Sequence, residues 1–386
     1  MGMRTAYFDN AATTFPKPTE VYDFADSFYR TNGGNIGRGN NTLAANASHL
    51  ALQVKENLLE MYHCPAREVV FTSSATDALN RILLGLDFCN GDNVYVTPFE
   101  HNAVTRPLNH LKKSTGINIR LLDFNNQSLL LDLENVEREF EEAAPSAVVM
   151  TQASNVCGAV VPVLDIARIA KRYGAIVVID MSQSAGLIDT DLSAELVDFA
   201  VFAGHKSLMG SFGIGGFICD KNAALKPILF GGNGINSVEQ EMPKDIVQMV
   251  EVGSLNTYAI AALKASTDYI LNNGIEQVNL CEEQAQNKLL EMLRSYENVS
   301  VVCDNMSCQR IGVVSALFDG LSPDEAEFLL GKFGVSVRSG LHCSPYAHRF
   351  LGTLPSGTVR FSVSPLTCAN DFKVLKDVLD LIRNES

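Results

Sequence analysis

From about residue 69 the chain alternates short apolar runs with stretches in which apolar residues recur at helical spacing. Residues 69–72, 93–97, 117–122, 147–151 and 175–179 are runs of strand length rich in Val, Ile and other apolar residues. Between them the spacing predicts helices over 75–86, 103–114, 133–143 and 163–173. Another apolar run, 198–203, stops abruptly at Gly204-His205-Lys206 and passes into a glycine-rich loop. Ahead of this series lie a short strand at 6–8, helices at 18–28 and 43–61, and a Gly- and Asn-rich loop at 31–41 around Arg38.

The second half has a different rhythm. It predicts helices over 258–271, 277–295, 323–332 and 370–383, and strands over 299–303, 311–318, 335–338 and 358–363. A glycine- and proline-containing loop fills 339–356. Alternation with short connections predicts an α/β fold, with a mostly parallel central sheet covered by helices on both faces. The later elements predict a smaller α+β C-terminal domain. The expected division is a large domain over 16–254 and a small domain from 1–15 and 255–386.

Composition narrows this picture. The chain has 386 residues, 46% hydrophobic and 19% charged, enough for a substantial core. Its formal net charge of −14 disfavours nucleic acid or an anionic membrane as the main partner. No run approaches the ~20 apolar residues of a membrane span, and the first ten residues lack an export-signal pattern. The nine cysteines are irregularly spaced, without Cys-x-x-Cys, so we expect free thiols in a cytoplasmic protein and no metal site.

In sheets of this kind, ligands bind beyond the carboxyl ends of the strands. Polar residues gather at those predicted ends: Ala75 and Thr76, His101, Asn155, Asp180 and Gln183, then His205 and Lys206. Taken singly, each has a plain structural explanation, such as an N-cap for Ser74 or Asp180. Together they suggest a carbonyl cofactor with a phosphate, pyridoxal 5′-phosphate. Lys206 would be the amine that condenses with its aldehyde, and Asp180 the anion beside its ring nitrogen. His101 would lie on the ring face, and Gln183 would hydrogen-bond the ring oxygen. Ala75, Thr76 and His205 would hold the phosphate at a helix N-terminus.

The sequence resembles the class V aminotransferase family along nearly its whole length. The resemblance is carried by Asp9-Asn10-Ala11-Ala12-Thr13-Thr14, Glu100-His101-Asn102, Ser154-Asn155-Val156-Cys157-Gly158, Asp180-Met181-Ser182-Gln183 and Gly204-His205-Lys206. It implies pyridoxal-phosphate fold type I, the aspartate aminotransferase-like fold. Arg338-Ser339-Gly340-Leu341-His342-Cys343 and Thr358-Val359-Arg360-Phe361-Ser362 resemble the group II cysteine desulfurase and selenocysteine lyase branch. That resemblance implies a catalytic Cys343 that takes sulfur from cysteine as a persulfide, with alanine as the other product. His342 and Arg338 would favour its thiolate. Arg360, with Asn155 and Arg338, would bind the substrate, and Lys206 would act as general base with His101 beside it. The resemblance further implies a homodimer, in which Ser254 reaches the neighbouring subunit's phosphate, and a sulfur-acceptor protein.

Ala203, Ser74-Ala75, Asn40-Asn41 and Ser254 depart from the usual family residues. These departures bear on cofactor affinity and substrate rather than on the cofactor's identity. The alternatives are a selenocysteine lyase, a class V aminotransferase or lyase in which Cys343 is incidental, and a binding or carrier protein without turnover.

Overall fold

The computed structural model describes residues 5–37, 39, 41–232, 234 and 238–385. Arg38 and Asn40 of the Gly- and Asn-rich loop lie outside the described residues. The chain opens with β1 (Ala6–Tyr7), α1 (Thr19–Thr31) and α2 (Thr42–Met61). The alternating series follows as β2 (Glu68–Thr72), α3 (Ala75–Gly85), β3 (Asn93–Val96), α4 (Asn102–Ser114) and β4 (Asn118–Leu121). It continues through α5 (Leu133–Glu142), β5 (Ala147–Thr151), α6 (Val163–Lys171), β6 (Ile176–Asp180), β7 (Phe199–Ala203) and β8 (Gly215–Cys219).

These strands form one seven-stranded sheet in the order β2-β8-β7-β6-β5-β3-β4. The β7–β6–β5–β3–β4 pairings are parallel, whereas β8 runs antiparallel to both β2 and β7. The exception has a local cause. The connection from β7 to β8 spans only residues 204–214, too short for a helical crossover, so the chain turns straight back. Every residue of β5, β7 and β8 is buried, because helices cover both faces.

Two helices follow, α7 (Ile246–Val250) and α8 (Thr257–Asn273). The first was not legible as a helix; it is a single turn or so, capped by the Asp245 side chain. The long α8 packs on α1 and α2 and buries Ala259, Ile260, Leu263 and Ile270 in the large core. The expected division at residue 254 assigns α8 to the small domain, whereas its packing is with the elements of the large one.

The smaller unit contains α9 (Ile275–Arg294), β9 (Val299–Val301), β10 (Val313–Phe318), α10 (Pro323–Lys332), β11 (Val335–Ser336) and β12 (Arg338–Gly340). It ends with α11 (Pro345–Phe350), β13 (Thr358–Ser362) and α12 (Ala369–Glu385). An antiparallel sheet of order β12-β13-β10-β9 carries its core. The single strand expected over 335–338 divides at Val337. β11 pairs with β1, and β12 turns to pair with β13. The loop expected over 339–356 contains α11, which Pro345 can start because a first-turn residue needs no amide hydrogen.

The N-terminal segment ties the two units together. Phe8 is in the small core, and Ala6 pairs with Val335. A few residues later, Thr13 Oγ1 donates to the His205 carbonyl at 3.0 Å and Thr14 Oγ1 to the Lys206 carbonyl at 2.8 Å.

Candidate active site

One cleft at the carboxyl ends of the central strands is lined by Ala75, Thr76, His101, Asn155, Asp180, Gln183, His205 and Lys206. They arrive from the ends of five strands, β2, β3, β5, β6 and β7, which the sheet brings to one rim. Cys343, Arg338 and Arg360 come from the small domain and meet this cleft at its edge. Ser254 does not join it. That serine is exposed and accepts a hydrogen bond from Asn35 Nδ2 at 3.2 Å.

The start of α3 forms one wall. Ser74 caps the helix, its Oγ accepting from Asp77 N at 3.2 Å. The amides of Ala75 and Thr76 have no partner among the described residues and open toward the cleft. Gly215 makes this approach possible. A Cβ there would lie 2.6 Å from the backbone of Ser74 and Ala75. Gly215→Ala is therefore expected to destabilise the fold by about 1–3 kcal/mol. It should also weaken phosphate binding at α3; thermal denaturation with and without inorganic phosphate measures both.

Lys206 begins the loop after β7. Its Nζ has no hydrogen-bond or ion-pair partner among the described residues. Burial pushes its ammonium down to about 8, with Asp180 opposing and the cations Arg360 and Arg338 adding to the effect. Asp180 closes β6, and its Oδ1 accepts from the Ser182 amide at 2.9 Å and from the Ser182 hydroxyl. His101 caps α4, its Nδ1 accepting from Ala103 N at 3.0 Å, which places the ring hydrogen on Nε2. Burial, then the Lys206 charge, holds His101 at about 4, so the ring is neutral. His205 stacks on Phe212 with ring centroids 4.5 Å apart. Its buried Nδ1 is unpartnered, and burial lowers it to about 4. Gln183 Nε2 donates to the Ala11 carbonyl at 2.9 Å, leaving its oxygen for the cleft.

The small-domain loop is pinned to the rim. Cys343 O accepts from Asn102 N at 2.7 Å, directly beside His101. Asn155 holds the same loop from the other side, donating to His342 O and accepting from Ser344 Oγ, each at 2.7 Å. Asn155 is thus a joint for the cysteine loop as well as a cleft residue. Arg338 Nη2 lies 3.8 Å from Cys343 Sγ, so its charge faces the thiol. His342 does not share that role. It is buried, shares a hydrogen with Thr358 Oγ1 at 3.0 Å, and burial lowers it to about 2. It remains neutral, so of these two residues only Arg338 presents a charge to Cys343.

Arg360 stands on β13, fully buried. It donates from Nη1 to Asn155 O at 3.0 Å and from Nη2 to Asp9 Oδ1 at 2.7 Å. Its Nε is buried without a partner. The Asp9 contact was missed in the sequence. Asp9 lies in a quoted motif, but its partner is 351 positions away.

Glu100 was also missed as a functional position. Its Oε1 accepts from Thr97 Oγ1 at 2.6 Å and from Thr151 N at 2.8 Å, joining the ends of β3 and β5. Burial raises its carboxyl to about 8 from an ordinary 4.5, with the hydrogen bonds opposing. Between those values the folded state binds more protons than the unfolded state, so this group's contribution is full below 4.5 and is lost as pH rises through 8. Glu100→Gln removes that dependence. Its melting temperature relative to wild type should rise between pH 5 and pH 8, as scanning calorimetry at the two values would record.

Residues 6–375 match the model of the aminotransferase class-V family, and the chain belongs to that family. The family is one of pyridoxal-phosphate enzymes. A probable cysteine desulfurase of Methanothermobacter thermautotrophicus is 28% identical over 386 residues, covering 98% of this chain and 95% of that one. A probable cysteine desulfurase of Xylella fastidiosa is 30% identical over 370 residues, covering 94% and 87%. The apo structure of the cysteine desulfurase from Thermococcus onnurineus NA1 matches with a TM-score of 0.89 at 27% identity, over 99% of this chain and 95% of that one. Among the described residues, no helix is long and apolar enough to cross a membrane, and no cluster suits a metal ion.

Proposed function

We propose that the protein is a pyridoxal-phosphate-dependent cysteine desulfurase that converts L-cysteine to L-alanine and carries the sulfur as a persulfide on Cys343. The observation that carries this reading is the seating of Cys343 on the rim of the Lys206 cleft, through the 2.7 Å bond from Asn102 N to Cys343 O. The many curated relatives named cysteine desulfurase favour it over a selenocysteine lyase.

The residues present fit the cofactor. Unpartnered amides at the start of α3 and an unpartnered His205 Nδ1 suit a phosphate group. The unpartnered Lys206 Nζ suits its aldehyde, and Asp180 and His101 suit its ring. When bound, the cofactor supplies an electrophilic carbon for amine exchange and a ring that withdraws electrons.

The chain's own residues then divide the work. Arg360 grips the substrate carboxylate with its planar fork. Lys206, lowered toward neutrality, takes the proton from Cα at Nζ and returns one to the product. Cys343, as thiolate beside Arg338, attacks the substrate sulfur. The carbon–sulfur bond breaks, its electron pair stays with the carbon, and protonation gives alanine. The sulfur remains on Cys343.

A groove of about 460 Å³ leads outward from Cys343 past Arg106 and His110 on α4. That groove is the side from which a sulfur acceptor would approach. The nine free cysteines suit a reducing, cytoplasmic setting. A homodimer belongs to the same reading, since Ser254 is exposed and apart from its own chain's cleft. The test is an amino-acid panel assayed for sulfide, selenide, alanine and transamination products. With a thiol reductant added to release the persulfide sulfur, alanine and sulfide in equal amounts from cysteine support the proposal; keto acids from a range of amino acids would overturn it.

A further inference from the structure

Arg360 is already paired within the chain. Its side chain is 2% exposed, and its partner Asp9 is 19% exposed at 2.7 Å. A guanidinium buried this deeply without a counter-charge would be strongly unfavourable, so Asp9 stabilises the buried Arg360. The same pairing obstructs a substrate carboxylate. That anion needs two adjacent N–H groups for a bidentate grip, and the Asp9 carboxylate sits on Nη2 while Nε stays unpartnered. Two carboxylates on one guanidinium also repel each other.

The backbone around Asp9 is fixed independently of that carboxylate. Asn10 Nδ2 donates to Ser362 O at 2.8 Å, and Ala11 N to Ser362 Oγ at 2.8 Å. Thr13 and Thr14 hold the carbonyls of His205 and Lys206. Asp9 can therefore leave Arg360 by side-chain rotation alone, with the segment and Lys206 staying in place.

Resting on the reading of Arg360 as the carboxylate grip, we infer that Asp9 is an internal placeholder for the substrate carboxylate. It occupies Arg360 in the empty site and is exchanged for the carboxylate of the incoming amino acid. Asp9 is a specificity-determining residue in this scheme. It sets the affinity that a carboxylate ligand must reach, whereas an amine without a carboxylate leaves the Asp9–Arg360 pair in place and is unaffected by it.

The experiment uses the holoenzyme and Asp9→Asn, which keeps the shape and removes the charge. KM for cysteine should fall about tenfold with kcat within about twofold, because a charge-assisted competitor is gone. L-Alanine, measured by calorimetry as an unreactive carboxylate ligand, should bind tighter by the same factor. Cysteamine, which has no carboxylate, should bind both forms equally. Arg360→Gln separates the two layers of the argument. If it leaves KM for cysteine unchanged, the carboxylate-grip reading fails. If it raises KM while Asp9→Asn leaves KM unchanged or raises it, the grip stands and the placeholder is overturned. An equal gain for cysteamine also overturns it, since the effect is then general charge. Should Asp9→Asn fold only with L-alanine present, that dependence is itself the exchange. Should it not fold at all, Asp9→Glu decides: a retained competitor gives a KM equal to wild type or higher, and a lower KM overturns the inference.

Discussion

Lys206→Ala is expected to give a folded protein that makes no alanine from cysteine, with kcat reduced at least ~10³-fold. Folding should survive because Nζ holds nothing in place: it has no partner among the described residues. The loop's anchors are backbone carbonyls, which accept from Thr13 and Thr14 whatever the side chain at 206. Under the proposed function two roles would be lost together, the covalent attachment of the cofactor and the base for Cα. The variant should therefore also lose the cofactor's visible absorbance on gel filtration. A further readout needs no turnover. In apoprotein, labelling of Lys206 by an amine-selective reagent should have a midpoint near pH 8 instead of 10.5, because the reagent needs the neutral amine that burial favours. A variant that retains a tenth of wild-type turnover would place the base elsewhere.

Cys343→Ser is expected to separate binding from sulfur transfer. The contact recorded for Cys343 Sγ is the one with Arg338 at 3.8 Å, and the loop is fixed by its backbone and by Asn155. Melting temperature and cysteine-induced cofactor absorbance should therefore stay close to wild type. Alanine and sulfide formation from cysteine should fall at least ~10³-fold, since a hydroxyl cannot accept the sulfur as a persulfide. Mass spectrometry of cysteine-treated wild type should find an added sulfur on the peptide containing Cys343, absent from the variant. Intact sulfide production by Cys343→Ser would mean that the reaction bypasses this thiol. Selenocysteine cleavage that survives the substitution would mark a lyase activity that does not need it.

The central sheet was legible because its strands are continuously apolar and its junctions are polar. From that pattern, β2, β3, β5, β6 and β7 and the helices α3, α4, α5 and α6 fall within a few residues of where the structure has them. The cleft residues from Ala75 to Lys206 followed, since parallel topology sends every strand end to one rim. The small-domain half of the site was reachable only through a resemblance. No local period shows that Arg360 faces Lys206, or that a residue at position 9 pairs with it. His342 illustrates another limit. Adjacency to a cysteine in sequence suggests a supporting charge, yet its ring is turned inward to Thr358 and kept neutral by burial. Likewise α8 reads as a helix at any address. Only its packing on α1 and α2 reveals which core it completes.

His342 and Cys343 both have left-handed backbone angles, with φ of 48° and 59°. Side chains other than glycine's rarely adopt that conformation, and each instance costs about 1–3 kcal/mol unless the surroundings impose it. Here they do, through Asn102, Asn155 and Ser344. Under the proposed function, the nucleophile would consequently be mounted like a fixed counter and not on a swinging arm. Sulfur collected there would have no tether long enough to carry it to a distant recipient. Delivery would fall to the recipient, which would have to bring its own reactive group within bonding distance of Cys343.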